Sequence, residues 1–334
     1  MMITQREIAA RLGVSQSLVS HALAGTAEEI GAATETIRRI REEATRLNYR
    51  PNAVALTLRG TPTKTIGVIV KNFDDPYFGR MIAELQGLAW SKQYSLLLTG
   101  YARDKEQPVD AWALSKYHLD GIVVAGSDFG PFGLTEFLAR GIPIVQLGTG
   151  KTPKGVVQVT VDEKLGLRQL VDYLKKLGHR DFGFVGDDTP SLLRREALFR
   201  EVAGRCGLAI RPNASVIVPA PDSDAGYRAM RQLLRQCGEL LPTAVVSADD
   251  VIAQGAMRAL FERKIQVPGE MSLAGIDDIP SARMTIPGLT TVRQPMGEMV
   301  NEAFQILTGA SERRGNRIVK PELVIRESCA GRKT

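Results

Sequence analysis

Cysteine is scarce in this chain: Cys206, Cys237 and Cys329 are the only three in 334 residues, and they stand far apart. An odd, dispersed set matches neither a disulfide framework nor a Cys-x-x-Cys metal pattern, so reduced, buried thiols are expected. Histidine is equally rare, with His21, His118 and His179 in three separate segments. There is no His-Glu-x-x-His pair and no Gly-x-Ser-x-Gly elbow, so the sequence assigns no catalytic residue, no cofactor and no metal. No apolar run approaches the roughly 20 residues of a membrane span. The opening Met1-Met2-Ile3-Thr4-Gln5-Arg6-Glu7 turns polar at once and lacks the apolar stretch of an export signal, which points to the cytoplasm. Gly148-Thr149-Gly150-Lys151-Thr152 suggests a phosphate-binding loop. However, Val145 stands where that loop needs its first glycine, and Pro153 opposes the helix that must follow.

What remains is ordinary globular material, 44% hydrophobic and 24% charged, in a length that suits two or three domains. The formal charge of +6 permits a polyanionic partner without demanding one. Its distribution says more. Residues 1–64 hold nine basic and six acidic side chains, so half of the excess sits in the first fifth of the chain.

Thr4-Gln5-Arg6-Glu7 is a capping box, in which the threonine hydroxyl and the glutamate carboxylate each satisfy the other's amide. It predicts a helix from Gln5, with Ile8, Ala9 and Leu12 on one face and Gly13 as its stop. Ser15 then caps a second helix with Val19, Ala22 and Leu23 inward, and a third helix is expected from Glu35 to about Leu47. A turn this tight between two short helices is the arrangement of a helix-turn-helix, whose second helix meets base edges through its N-terminal side chains. Gln16 and Ser17 occupy that first turn, with Ser20 and His21 further along; glutamine can grip adenine in bidentate fashion and serine can serve several bases. For His21, a phosphate contact or an idle surface position stands beside base reading.

Asn48-Tyr49-Arg50-Pro51-Asn52 follows the third helix directly and leads into Ala53-Val54-Ala55-Leu56-Thr57-Leu58-Arg59-Gly60. Together with Gly13-Val14-Ser15 through Gly25, this resembles the headpiece and hinge of the lactose-repressor (LacI/GalR) family of bacterial transcriptional regulators. The resemblance implies that Asn52 to Arg59 becomes helical on operator DNA, with Leu58 as the wedge in the minor groove and Ala55 beside it. It places Thr4, Gln5, Ser15, Gln16, Ser17, Ser20, His21, Asn52, Ala55 and Leu58 at the DNA. Leu18 and His21 depart from the family's usual threonine and arginine, so an operator sequence is not carried over.

Beyond the breaker-rich Gly60-Thr61-Pro62-Thr63, short apolar runs at 65–70, 95–99, 121–125 and 142–147 alternate with helical stretches. A second set lies at 182–186, 215–218, 244–247 and 272–276, and 290–293, a helix over about 296–307 and 321–327 close the chain. Strands alternating with helices predict parallel sheets, and the count suits two doubly wound lobes. Ligands of such sheets bind beyond the strands' carboxyl ends. Asp75, Tyr77, Asp249 and Asp277 lie at such ends, with Ser191 and Arg195 at the start of the helix after Gly186 and Gln294 just after 290–293. Any of these carboxylates could equally cap the next helix, and Tyr77 could pack or stack on a ligand. The segments Arg195–Phe199, Ala248–Asp250, Gly275–Asp278 and Thr291–Pro295 are similar to those lining the family's effector cleft. That similarity implies Ser191, Arg195, Asp249, Asp277 and Gln294 as ligand contacts. His118 borders a cleft-facing strand and joins the set as a weaker candidate. Gly148 stands where some relatives carry a ligand-binding aspartate.

The expectation is therefore an α/β protein: an N-terminal three-helix headpiece over 1–50, a hinge over 51–64, and two doubly wound parallel-sheet lobes of periplasmic-binding-protein type over 65–334. The first lobe is expected to take 65–161 with 290–308 and the second 162–289 with 309–334. The resemblance implies a non-enzymatic repressor that binds a palindromic operator in double-stranded DNA as a homodimer, away from membranes. A small polar effector, a sugar or related metabolite, would control it, by induction or by corepression.

Overall fold

Thr4 and Glu7 cap each other as the sequence predicts: the Thr4 hydroxyl accepts from the Glu7 amide at 3.2 Å, and the Thr4 amide donates to the Glu7 carboxylate at 2.7 Å. Helix α1 (Gln5–Leu12) starts there and stops at Gly13. Ser15 accepts from the Leu18 amide at 3.1 Å and starts α2 (Gln16–Ala24); α3 (Thr34–Arg46) follows, one residue earlier than expected. Ile8, Val19, Ala22, Ile37 and Ile40 converge on a small core among the three helices. The computed structural model describes residues 3–49, 62–100, 112–127, 133–208, 210–219, 224–310 and 315–332. The chain divides into two units, Met1–Thr63 and Lys64–Thr334. The hinge candidates Asn52, Ala55 and Leu58 lie outside the described residues.

In the second unit, β1 (Thr65–Val70), α4 (Pro76–Ser91), β2 (Ser95–Gly100), α5 (Trp112–Ser115), β3 (Gly121–Ala125), α6 (Thr135–Ala139), β4 (Ile144–Leu147) and β5 (Val157–Val161) come first. Next are α7 (Glu163–Lys176), β6 (Phe182–Asp187), α8 (Pro190–Arg205), β7 (Ser215–Val218), α9 (Ala225–Cys237), β8 (Ala244–Ser247), α10 (Asp250–Glu262) and β9 (Ser272–Asp277). The chain closes with β10 (Thr290–Arg293), α11 (Met296–Leu307), β11 (Arg317–Val319) and β12 (Glu322–Val324). Two six-stranded sheets result, ordered β11-β5-β4-β3-β1-β2 and β12-β10-β9-β8-β6-β7. All pairings are parallel except that of β12 with β10. Central strands β3, β8 and β9 are buried on both faces, which is why they read as unbroken runs of apolar and small residues.

Two expected boundaries are corrected. Segment 290–308 does not belong whole to the first lobe, because β10 pairs with β9, Val292 opposite Ile276, and so extends the second sheet. Segment 309–334 likewise splits, because β11 pairs with β5, Ile318 opposite Thr160, on the first sheet. Helix α11 does join the first lobe, burying Met299, Val300 and Phe304 there. The chain therefore passes between lobes after β5, after β10 and after β11. Strands of three or four residues carry too little pattern to announce their neighbours; the open edge of each sheet decides that.

His179, just past the end of α7, is buried, and burial lowers its pKa. Its Nδ1 meets the Thr243 hydroxyl at 2.9 Å and its Nε2 the Ala330 carbonyl at 3.1 Å, so a neutral ring ties β8 to the C-terminal segment.

Candidate functional site

The strand orders place the natural crevice. In the first sheet the winding reverses between β1 and β3, and in the second between β6 and β8. Loops leaving the carboxyl ends of such neighbours diverge and leave a gap. A cleft of about 440 Å³ opens there, lined from both lobes. Asp75 and Tyr77 come from the β1–α4 turn, Ser191 and Arg195 from α8, Asp249 from the start of α10, Asp277 from the end of β9 and Gln294 from the crossing after β10.

At its centre Arg195 is 8% exposed, donating from Nε to Glu163 at 2.8 Å, from Nη2 to Asp277 at 2.9 Å and from Nη1 to the Ala248 carbonyl at 2.9 Å. Gln294 donates to the same Asp277 oxygen at 2.5 Å and accepts from the Tyr77 hydroxyl at 3.1 Å. One hydrogen-bonded chain thus runs from α4 in the first lobe to α8 in the second. Burial alone would favour loss of the Arg195 charge, but the charges of Asp277 and Glu163 hold it protonated. Burial, reinforced by the charge of Asp277, pushes Asp249 up to about 8. Burial also lifts Asp277 to about 6, against the pull of Arg195.

Both readings of the strand-end carboxylates hold together. Asp75 caps α4 by accepting from the Tyr77 amide at 2.9 Å, and Asp249 caps α10 by accepting from the Ile252 amide at 2.7 Å, yet each also lines the cleft. Tyr77 packs edge-on against Phe78, with ring centres 5.2 Å apart, while lining the same space. His118 is corrected: it is exposed and precedes β3, at the amino end of the sheet, whereas the cleft gathers at the carboxyl ends. Gly148 cannot be exchanged for aspartate without distortion. Its φ is 149°, and a Cβ there would lie 2.8 Å from the Gly126 carbonyl oxygen.

Sequence reading missed Glu163, Lys71, Thr149 and Thr160 as lining residues. Glu163 opens α7 as one of many helical carboxylates, and only the fold brings it to Arg195.

In the first unit, Gln16 and Ser17 are exposed on the opening turn of α2. Gln5 begins α1, and Thr4 and Ser15 spend their hydroxyls on caps. Ser20 and His21 are half-buried, and one His21 ring nitrogen meets the Thr26 hydroxyl at 3.0 Å.

A periplasmic binding protein-like domain family matches residues 171–329. The HTH-type transcriptional repressor PurR of Erwinia tasmaniensis is 31% identical over 98% of this chain and 97% of its own length. PurR of Pasteurella multocida is 31% identical over 99% and 100%. Among solved structures, the Lac repressor dimer bound to operator and the anti-inducer ONPF superposes with a TM-score of 0.82 at 22% identity, covering 99% of this chain and 100% of that one. With relatives above 30% identity aligned end to end, the chain belongs to the lactose-repressor (LacI/GalR) family of transcriptional regulators.

Proposed function

We propose that this protein is a cytoplasmic, non-catalytic transcriptional repressor that binds a palindromic operator as a homodimer and is controlled by a small polar effector in the cleft. The observation that carries this reading is the union in one chain of an α2 whose first turn exposes Gln16 and Ser17 with a two-lobed cleft lined by carboxylates, Arg195 and Gln294. The first suits major-groove base edges, where each good bidentate contact contributes about 1–3 kcal/mol of discrimination. The second suits a polar ligand. An effector that prefers one arrangement of the lobes shifts their equilibrium by its differential affinity and thereby changes hold on DNA. The cleft residues proposed to meet the effector are Asp75, Tyr77, Ser191, Arg195, Asp249, Asp277 and Gln294, while Thr4, Gln5, Ser15, Gln16, Ser17, Ser20 and His21 are proposed for the DNA face. The Lac repressor neighbour was solved as a dimer on its operator, which supports the dimer and operator parts of this reading.

The test is selection from random duplex DNA at moderate salt, followed by a salt titration of the enriched site. A palindromic motif is expected, and Gln16→Ala should weaken binding to it by about 1–3 kcal/mol while leaving the salt slope unchanged. Steep salt dependence with no enriched motif would leave only phosphate contacts and overturn base reading by α2.

A further inference from the structure

Arg195 is gripped from three sides. Asp277 spans the end of the guanidinium, accepting from Nη2 at 2.9 Å and, at a longer 3.5 Å, from Nη1, while the Ala248 carbonyl accepts from Nη1 at 2.9 Å. Glu163 takes the remaining side through a single contact, Oε1 to Nε at 2.8 Å. That side, with Nε beside Nη2, is an edge on which an arginine can receive both oxygens of a carboxylate or phosphate. Here it is half filled. Of the five guanidinium hydrogens, one on Nη2 has no partner among the described residues, and neither has the second oxygen of Glu163. A donor and an acceptor thus stand next to each other, on two residues that both line the cleft.

Glu163 is not needed to start its helix. Asp162 caps α7 by accepting from the Leu165 amide at 3.0 Å, which leaves the Glu163 carboxylate to reach across to α8. What fits beside it follows from its charge. A carboxylate or phosphate arriving at Nη2 would face the Glu163 carboxylate along one edge. The two side chains are only 8% and 12% exposed, so water screens that repulsion poorly. Pushing Glu163 aside would strand a largely buried charge. A hydroxyl meets neither obstacle: its oxygen accepts from Nη2 and its hydrogen goes to the second oxygen of Glu163, so one group satisfies both.

We propose that Glu163 is a specificity-determining residue of the cleft: by holding one side of Arg195 it bars that guanidinium to anionic groups and, together with Nη2, receives a hydroxyl of an uncharged sugar or polyol. The inference rests on the effector reading of this cleft and narrows its ligand class to members without an acid or phosphate group. Discrimination of this kind works by repelling the wrong ligand as much as by fitting the right one.

The test uses the full chain and probes matched in all but the acidic group: D-glucose against D-glucuronate, D-galactose against D-galacturonate, and D-ribose against D-ribose 5-phosphate. Thermal shift and calorimetry at neutral pH are the readouts. The tightest probe should be uncharged and bind about tenfold or more tighter than its anionic partner. Glu163→Gln keeps an oxygen for the Arg195 Nε but not the charge, and should bring that pair within about threefold of each other, with Glu163→Ala run in parallel. An anionic tightest probe, a smaller preference in the unmodified chain, or a preference unchanged in the folded variants would each overturn the assignment; the first two decide even if neither variant folds. If no probe binds, the uncharged polyol falls. Retention of the selected duplex is then measured with a deproteinised metabolite extract: a change leaves the effector reading standing, and no change removes that reading as well.

Discussion

At the residue scale, Arg195 shows what the tertiary structure adds to a motif. Its forked donor suggests a ligand contact, and in the folded chain Arg195, while lining the cleft, also uses that fork to hold Glu163, Asp277 and a carbonyl in place. Removing it would leave two buried carboxylates unpaired. Arg195→Met should therefore cost about 3–5 kcal/mol of core stability, read as a lower urea midpoint. Asp249 yields a prediction of opposite sign to the usual surface carboxylate. Its folded pKa, about 8, lies above the ordinary aspartate value near 3.8, so the folded state binds the proton more tightly. Its contribution is complete below about pH 4 and is lost as pH rises toward 8. Asp249→Asn should thus raise the melting temperature of the ligand-free protein at pH 8 and change it little at pH 4, in parallel melts. Asp249 was legible from its strand-end position; Glu163 was not, because nothing local distinguishes it from any first-turn glutamate.

At the scale of elements, helix starts were the clearest feature of the sequence. Thr4 with Glu7, and Ser15, act within three residues of themselves, so their geometry needs no distant partner. Contacts between elements behave otherwise. Helices α9 and α10 approach so closely that a Cβ on Gly226 would lie 2.1 Å from the Ile252 carbonyl oxygen, and one on Gly255 2.7 Å from the Tyr227 amide. Gly226→Ala must force the pair apart, with an expected loss of about 1–3 kcal/mol by chemical denaturation despite alanine's better helix propensity. Strands β5 and β11 escaped the sequence reading for a related reason. Val157–Val161 alternates weakly beside a loop, and Arg317–Val319 is three residues whose pairing exists only because the β5 edge is open.

On the scale of the whole core, polar contacts that bridge the lobes lie beside the cleft. Arg80 on α4 donates to the Asp278 carbonyl at 2.6 Å, and Arg194 on α8 reaches the Thr149 hydroxyl at 3.3 Å. Asp277 and Asp278 both hold positive φ, 116° and 55°, a conformation that side chains rarely adopt. The Asp278 carboxylate is clamped by Arg293 and Arg326, which helps to hold that backbone. A ligand on Asp277 is thus one peptide unit from a carbonyl that the other lobe grips. Arg80→Met should weaken effector binding about five- to tenfold in calorimetry, with the fold intact by circular dichroism, because an effector that prefers this arrangement of the lobes loses a contact that helps to hold it.

The sequence by itself determined the helix-turn-helix caps, the alternation that makes two parallel-sheet lobes, and the strand ends where a ligand would sit. These follow from signals a few residues long: a hydroxyl three residues from an amide, an apolar period, an aspartate after a run of valines. Only the tertiary structure decided that β10 and β11 exchange lobes, that His118 stands at the wrong end of its sheet, that Gly148 admits no side chain without distortion, and that Glu163 joins Asp277 in holding Arg195. Hydrogen-bond partners and buried charge are sums over residues distant in sequence, and they take values only once the chain has closed on itself.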